Sequence, residues 1–235
     1  AHYNRFQEDF DIAKSLGHNA HRFSIEWSRI EPEEGKFNEK EIEHYREVIR
    51  ALRERGMEPF VTLWHWTLPV WVAEQTGWRS EKTIFYFSRF CERVASEFKN
   101  EVKFWMILNE AGSWTADAYL FGERPPGERN IFAAVRVYFN LVRAHKEVYA
   151  KLKKVNPDFA VGVATSIEWW GPGMARPFIH YFRNFFFRDR IRSHLDFIGV
   201  NYYQRKNVLG RPRGKVSDRG WEIYPRGLYD VLMAL

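Results

Sequence analysis

Apolar, β-rich runs alternate with helical patterns from one end of the chain to the other, and this alternation admits few folds. Five runs read as strands: Ala20 to Trp27, Glu58 to Trp66, Val102 to Glu110, Ala160 to Ile167 and Leu195 to Tyr203. Helical patterns fill the gaps. His2 to Leu16, stopped by Gly17, opens the chain, and Pro225 to Leu235 starts another helix, so neither end supplies a strand. The expected fold is α/β, a partial TIM (β/α)8-type barrel with about five parallel strands retained and the first and last two missing. With 235 residues, 45% of them hydrophobic, residues 1–235 read as a single incomplete barrel domain.

The helix boundaries carry their own chemistry. Asn38 followed by Glu41 resembles a capping box, Gly56 sits where the preceding helix needs a left-handed stop, and Asn156-Pro157 ends the long helix that starts near Ile131. The stretch Gly210 to Gly214 reads as an exposed turn.

A formal net charge of +6 invites a nucleic-acid reading, but Lys and Arg are interleaved with Glu along helices, which describes solvated faces, so no nucleic-acid partner is expected. Cys91 is the only cysteine, which excludes an internal disulfide and points to a reduced, cytoplasmic setting. No apolar stretch approaches the length of a membrane span and the first residues lack the core of a signal peptide, so no membrane partner is expected. His18 and His21 have no third ligand at metal spacing, and neither a phosphate-binding loop nor a nucleotide fingerprint appears, so neither metal nor cofactor is expected.

Three strand ends carry polar side chains straight after an apolar run: Thr62 to Pro69 with His65 inside it, Asn109-Glu110, and Asn201-Tyr202-Tyr203. In a parallel barrel such C-terminal tips meet the substrate. Arg22 adds a cation to the same face. Together these groups can bind hydroxyls and donate a proton, with Glu110 the candidate acid. Blander readings exist for each: a strand-end carboxylate, a hydrogen-bonded histidine between Trp64 and Trp66, an arginine that satisfies a buried neighbour. Ten Trp, eleven Tyr and twenty Phe also supply flat platforms for sugar rings or bases.

Arg22 to Pro32 (RFSIEWSRIEP), Thr62 to Trp71 (TLWHWTLPVW), Leu108-Asn109-Glu110, Phe197 to Tyr203 (FIGVNYY) and Trp221 to Leu228 (WEIYPRGL) together resemble the family 1 glycoside hydrolases, the retaining β-glucosidase and β-galactosidase group. The resemblance implies a β-glycosidase acting on small β-linked glucosides, galactosides or oligosaccharides. It makes Glu110 the general acid/base, Asn109 the donor to the sugar 2-hydroxyl and His65 a hydroxyl-binding residue. Arg22 and Tyr203 resemble the residues that orient the nucleophilic carboxylate, Asn201 joins them as a substrate-binding residue, and Trp169 and Trp170 line the aglycone side.

The departures are as informative. Ala111 stands where the family usually has proline after the acid. The strand that carries the nucleophile lies outside these residues, and retaining hydrolysis needs two carboxyl groups about 5–5.5 Å apart. Hydrolysis by the isolated chain is therefore expected to be very slow or absent. The alternative is a catalytically silent carbohydrate-binding or scaffold protein derived from a glycosidase barrel. Open barrel edges further imply self-association.

Overall fold

Five apolar runs pair side by side as parallel strands, in the order β1 (Ala20–Ser24), β2 (Glu58–Trp64), β3 (Phe104–Asn109), β4 (Ala160–Ser166) and β6 (Phe197–Asn201). The computed structural model describes residues 2–170, 176–206, 212 and 214–235. A second, two-stranded parallel sheet pairs β5 (Trp169–Trp170) with β7 (Arg205–Lys206). The expected five-stranded partial barrel is thus what forms, with β1 and β6 at the sheet edges.

One face of the sheet is closed by helices. Trp27, Trp64, Trp78 and Trp105 are completely buried there, with Phe87, Phe90 and Phe98 from the helix Lys82–Glu97 and its C-terminal cap. At about 25 cal/mol per Å2 of apolar surface removed from water, such aromatics dominate the stabilisation. The opposite, barrel-interior face carries Phe60 stacked on Phe104 at 4.3 Å, with Phe197 edge-on to both at 6.0 Å. β4 and β6 approach closely at Gly162, where a Cβ would stand 2.4 Å from the carbonyl oxygen of Phe197, so no side chain fits.

Several helix boundaries follow the sequence reading. Gly17 and Gly56 have φ of +84° and +66° after the helices His2–Ser15 and Glu39–Glu54. Asn156 caps the end of Ile131–Val155. The capping box is only half built: Asn38 accepts from the amides of Lys40 and Glu41, but the Glu41 carboxylate is taken by the Tyr3 hydroxyl at 3.0 Å. The first strand stops at Ser24 and not at Trp27, because Glu26 accepts from the Ser28 amide and caps a short helix, Trp27–Ile30. The turn expected over 210–214 lies largely outside the described residues.

Among the described residues no helix is long and apolar enough to cross a membrane. Cys91 is fully buried.

Candidate active site

Glu110 is the first residue beyond β3, held in the left-handed region at φ +48° while its amide donates to the Ala164 carbonyl at 2.7 Å. That conformation costs a non-glycine residue on the order of 1–3 kcal/mol. The turn it makes carries the chain from β3 into the helix Ala111–Ala116 and places a carboxylate, only 6% exposed, in the wall of the cleft.

Two side chains from the end of β6 converge on one oxygen of that carboxylate. Asn201 Nδ2 donates to Glu110 Oε1 at 2.5 Å and the Tyr203 hydroxyl donates to the same atom at 2.7 Å. Asn109, the last residue of β3, is equally enclosed: its Oδ1 accepts from Arg22 Nη2 at 2.5 Å, and its backbone carbonyl accepts from Trp66 Nε1 at 2.9 Å. Arg22 reaches across from β1 and anchors itself through Nε on Thr62 Oγ1 at 2.9 Å. The β-bulge between Met106 and Asn109 shifts the register just before these groups.

His65 follows β2, with Nδ1 3.2 Å from Ser24 Oγ. Burial, and next the nearby Arg22 cation, hold its imidazole below the ordinary value, so it is neutral at pH 7. Burial also lowers Arg22, partly offset by Glu110. Tyr203 is pushed up to about 12 by partial burial and then by its hydrogen bond to the Glu110 carboxylate, so it remains a donor at neutral pH.

Of these groups Glu110 and Tyr203 line a cleft of about 870 Å3 together with Trp66, Trp170 and Trp221, while Arg22, His65, Asn109 and Asn201 stand behind that wall rather than in it. Trp170 lines it, with Lys206 Nζ 5.9 Å from its ring centre. Trp169 is not among the lining residues; its ring stands edge-on to His180 at 6.0 Å. Thus Arg22, Asn109, Glu110, Asn201 and Tyr203 form one hydrogen-bonded constellation, His65 is linked beside it through Ser24 of β1, and Trp169 packs against His180 of the helix Arg176–Asn184.

Structure adds partners that the sequence reading had not singled out. Thr62 anchors Arg22. Two ion pairs stiffen the far wall: Lys206 with Glu168 at 2.6 Å, and Arg205 with the buried Glu222. Asn184 makes a two-way amide pair with the Glu168 backbone, accepting at 3.0 Å and donating at 2.8 Å. Isolated charges of either sign give no pattern that predicts such pairs. Trp221 had a signal, the WEIYPRGL motif.

The motifs extend into sequence-wide similarity. A profile described as Glycosyl hydrolase family 1 matches residues 1–177. Beta-glucosidase A of Thermotoga maritima is 31% identical, with 98% of this chain and 63% of that protein covered. Beta-glucosidase A of Acetivibrio thermocellus is 28% identical over 100% of this chain and 64% of its own length. The solved Thermotoga maritima beta-glucosidase in complex with deoxynojirimycin superposes with a TM-score of 0.92 at 30% identity, covering 99% of this chain and 63% of the other. The chain spans a little under two thirds of these relatives. The Thermotoga maritima alignment runs to 279 positions, so at least 44 of them fall opposite gaps in a chain of 235 residues. On the motifs, the partial barrel and this similarity together, the chain belongs to glycosyl hydrolase family 1.

Proposed function

We propose that this chain carries the acid/base half of a retaining β-glycosidase site acting on small β-linked glucosides, galactosides or related oligosaccharides. The observation that carries the reading is Glu110 at the tip of β3, buried in the cleft wall and fixed by Asn201 and Tyr203. A proton donor needs a fixed position beside the leaving oxygen, and two donors on one carboxylate oxygen supply it. Asn109, held by Arg22, presents its amide nitrogen to a sugar hydroxyl, and neutral His65 binds another. Trp170, with Trp66 and Trp221, supports the aglycone; Trp169 acts behind it through its packing on His180.

Glu26 and Glu168 are already engaged, the first with Ser28 and Thr67 and the second with Lys206, which argues against either as a substitute nucleophile. Hydrolysis of an aryl β-glucoside by this chain alone is expected to fall several orders of magnitude below the roughly 10 per second of a typical enzyme. Deoxynojirimycin should nevertheless bind, and titration calorimetry reads this without turnover. Absence of binding, or binding untouched by His65→Ala, would overturn the proposal. The buried Cys91 supports a reducing, cytoplasmic setting, and the sheet edges β1 and β6 support self-association.

A further inference from the structure

The outward side of two helices presents an aromatic surface that neither the cleft nor the core uses. On Ile131–Val155, Ile131, Phe132, Val135 and Phe139 are exposed, Phe132 by 84%. On Arg176–Asn184, Phe178, Tyr181 and Phe182 are exposed, Phe178 by 68%. The two groups are continuous. Phe178, Phe182 and Phe186 form a ladder with ring centres 4.5 and 4.7 Å apart. Arg190 lies over Phe186 at 3.2 Å and 5.8 Å from Phe139, joining the helices. Phe185 is buried and Phe187 packs on the core, so the ladder is the outer part of an otherwise ordinary helix contact.

Charge singles this surface out. Ile131–Val155 contains six basic residues and one acidic, and residues 176–194 contain five arginines and one aspartate. These segments hold a surplus of nine positive charges in a chain whose net charge is +6, although Lys151 and Lys153, toward the other end of the long helix, are paired with Glu92 and Asp196. Arg136 is exposed between Phe132 and Phe139 on the long helix, Arg190 bridges Phe139 and Phe186, and Arg192 is exposed two residues on, whereas Arg143 pairs with Glu81 and Arg188 with Asp189. Both helices follow central strands, β3 and β4, and the family match ends at residue 177, where the ladder begins.

We propose that this face docks on an anionic lipid bilayer, with the phenylalanines inserted at the headgroup boundary and the arginines on lipid phosphates or carboxylates. Aromatic side chains beside a basic rim are the composition of helices that lie in the membrane interface. A second copy of the chain fits poorly, because two surfaces with the same positive surplus repel. This departs from the sequence expectation of no membrane partner, which was argued from the lack of a spanning stretch and of a signal-peptide core, neither of which peripheral docking needs.

Vesicle co-sedimentation of the whole chain tests this. Vesicles of phosphatidylcholine containing about 30% phosphatidylserine should bind at least about tenfold more chain than pure phosphatidylcholine, with the difference lost in about 1 M salt. Phe132→Ser with Phe178→Ser, both at exposed positions, should lower binding to the anionic vesicles about tenfold or more. Arg136→Gln with Arg192→Gln should do the same without touching the aromatics, and circular dichroism checks that each variant is folded. Equal binding to both vesicle types, or folded variants that bind like the parent chain, overturns the proposal. So does a concentration-dependent dimer abolished by the aromatic pair in a chain that ignores vesicles.

Discussion

The Tyr203 hydroxyl donates to Glu110 Oε1 at 2.7 Å, bringing together the ends of two strands that are 93 residues apart in sequence. By resemblance the tyrosine belongs to the nucleophile. Here it serves the acid, so in this chain the two residues share one electrostatic environment.

Replacing the acid should therefore be visible at the tyrosine. Glu110→Gln removes the charge and leaves the Tyr203 hydroxyl only a neutral, weaker acceptor beside its partial burial, so its titration should move down from about 12 while staying above 10. Difference absorbance against a Tyr203→Phe chain isolates the tyrosinate. Because the folded value is raised, the group's contribution to stability is complete below pH 10 and is lost as pH rises toward 12.

Arg22→Lys tests the support behind Asn109. The guanidinium reaches Thr62 through Nε and Asn109 through Nη2, and a single ammonium cannot reproduce that fork. Deoxynojirimycin affinity should fall about tenfold, equivalent to ~1.4 kcal/mol, as Asn109 loses its orientation. Calorimetric affinity equal to that of the parent chain would remove Arg22 from the site.

Acid stability should depend on a histidine far from the cleft. His145 is fully buried, its Nε2–H donates to the His194 carbonyl at 2.6 Å, and its Nδ1 has no partner among the described residues. Burial lowers it to about 4, so its contribution is present above pH 6.5 and is lost as pH falls toward 4. The loss should be about 3 kcal/mol. Denaturant midpoints across that range should flatten in His145→Gln.

A buried carboxylate gives a sharper stability test. Glu31 is fully buried, accepts from Trp27 Nε1 at 2.9 Å and the Gly35 amide at 2.8 Å, and pairs with Arg89. Arg89→Met leaves that charge without its cation and should cost about 3–5 kcal/mol. Glu31→Gln keeps an acceptor and should cost less, in urea melts of the two variants.

The sheet was legible because each of its five strands is a β-rich apolar run long enough to show a pattern. β5 and β7, with two residues each, are too short to do so. Glu26 ended the first strand early by capping the helix Trp27–Ile30, and the Thr67 hydroxyl that also holds its carboxylate comes from 41 residues away, which its own neighbourhood in sequence does not contain. The site was legible residue by residue, since polar groups at strand tips stand out against apolar runs. Which donor meets which acceptor was not: Tyr203 on Glu110 and Tyr3 on Glu41 depend on register and helix placement, which no local pattern encodes.

The left-handed backbone at Glu110 separates two demands on one position. Glycine or asparagine suits that φ better than glutamate, but neither can release a proton to a glycosidic oxygen. In a library of variants sorted only for folded yield, position 110 should drift toward glycine and asparagine, and glutamate should persist only under sorting for sugar chemistry. The frequency of Glu at this single site would then report what the population has been asked to do.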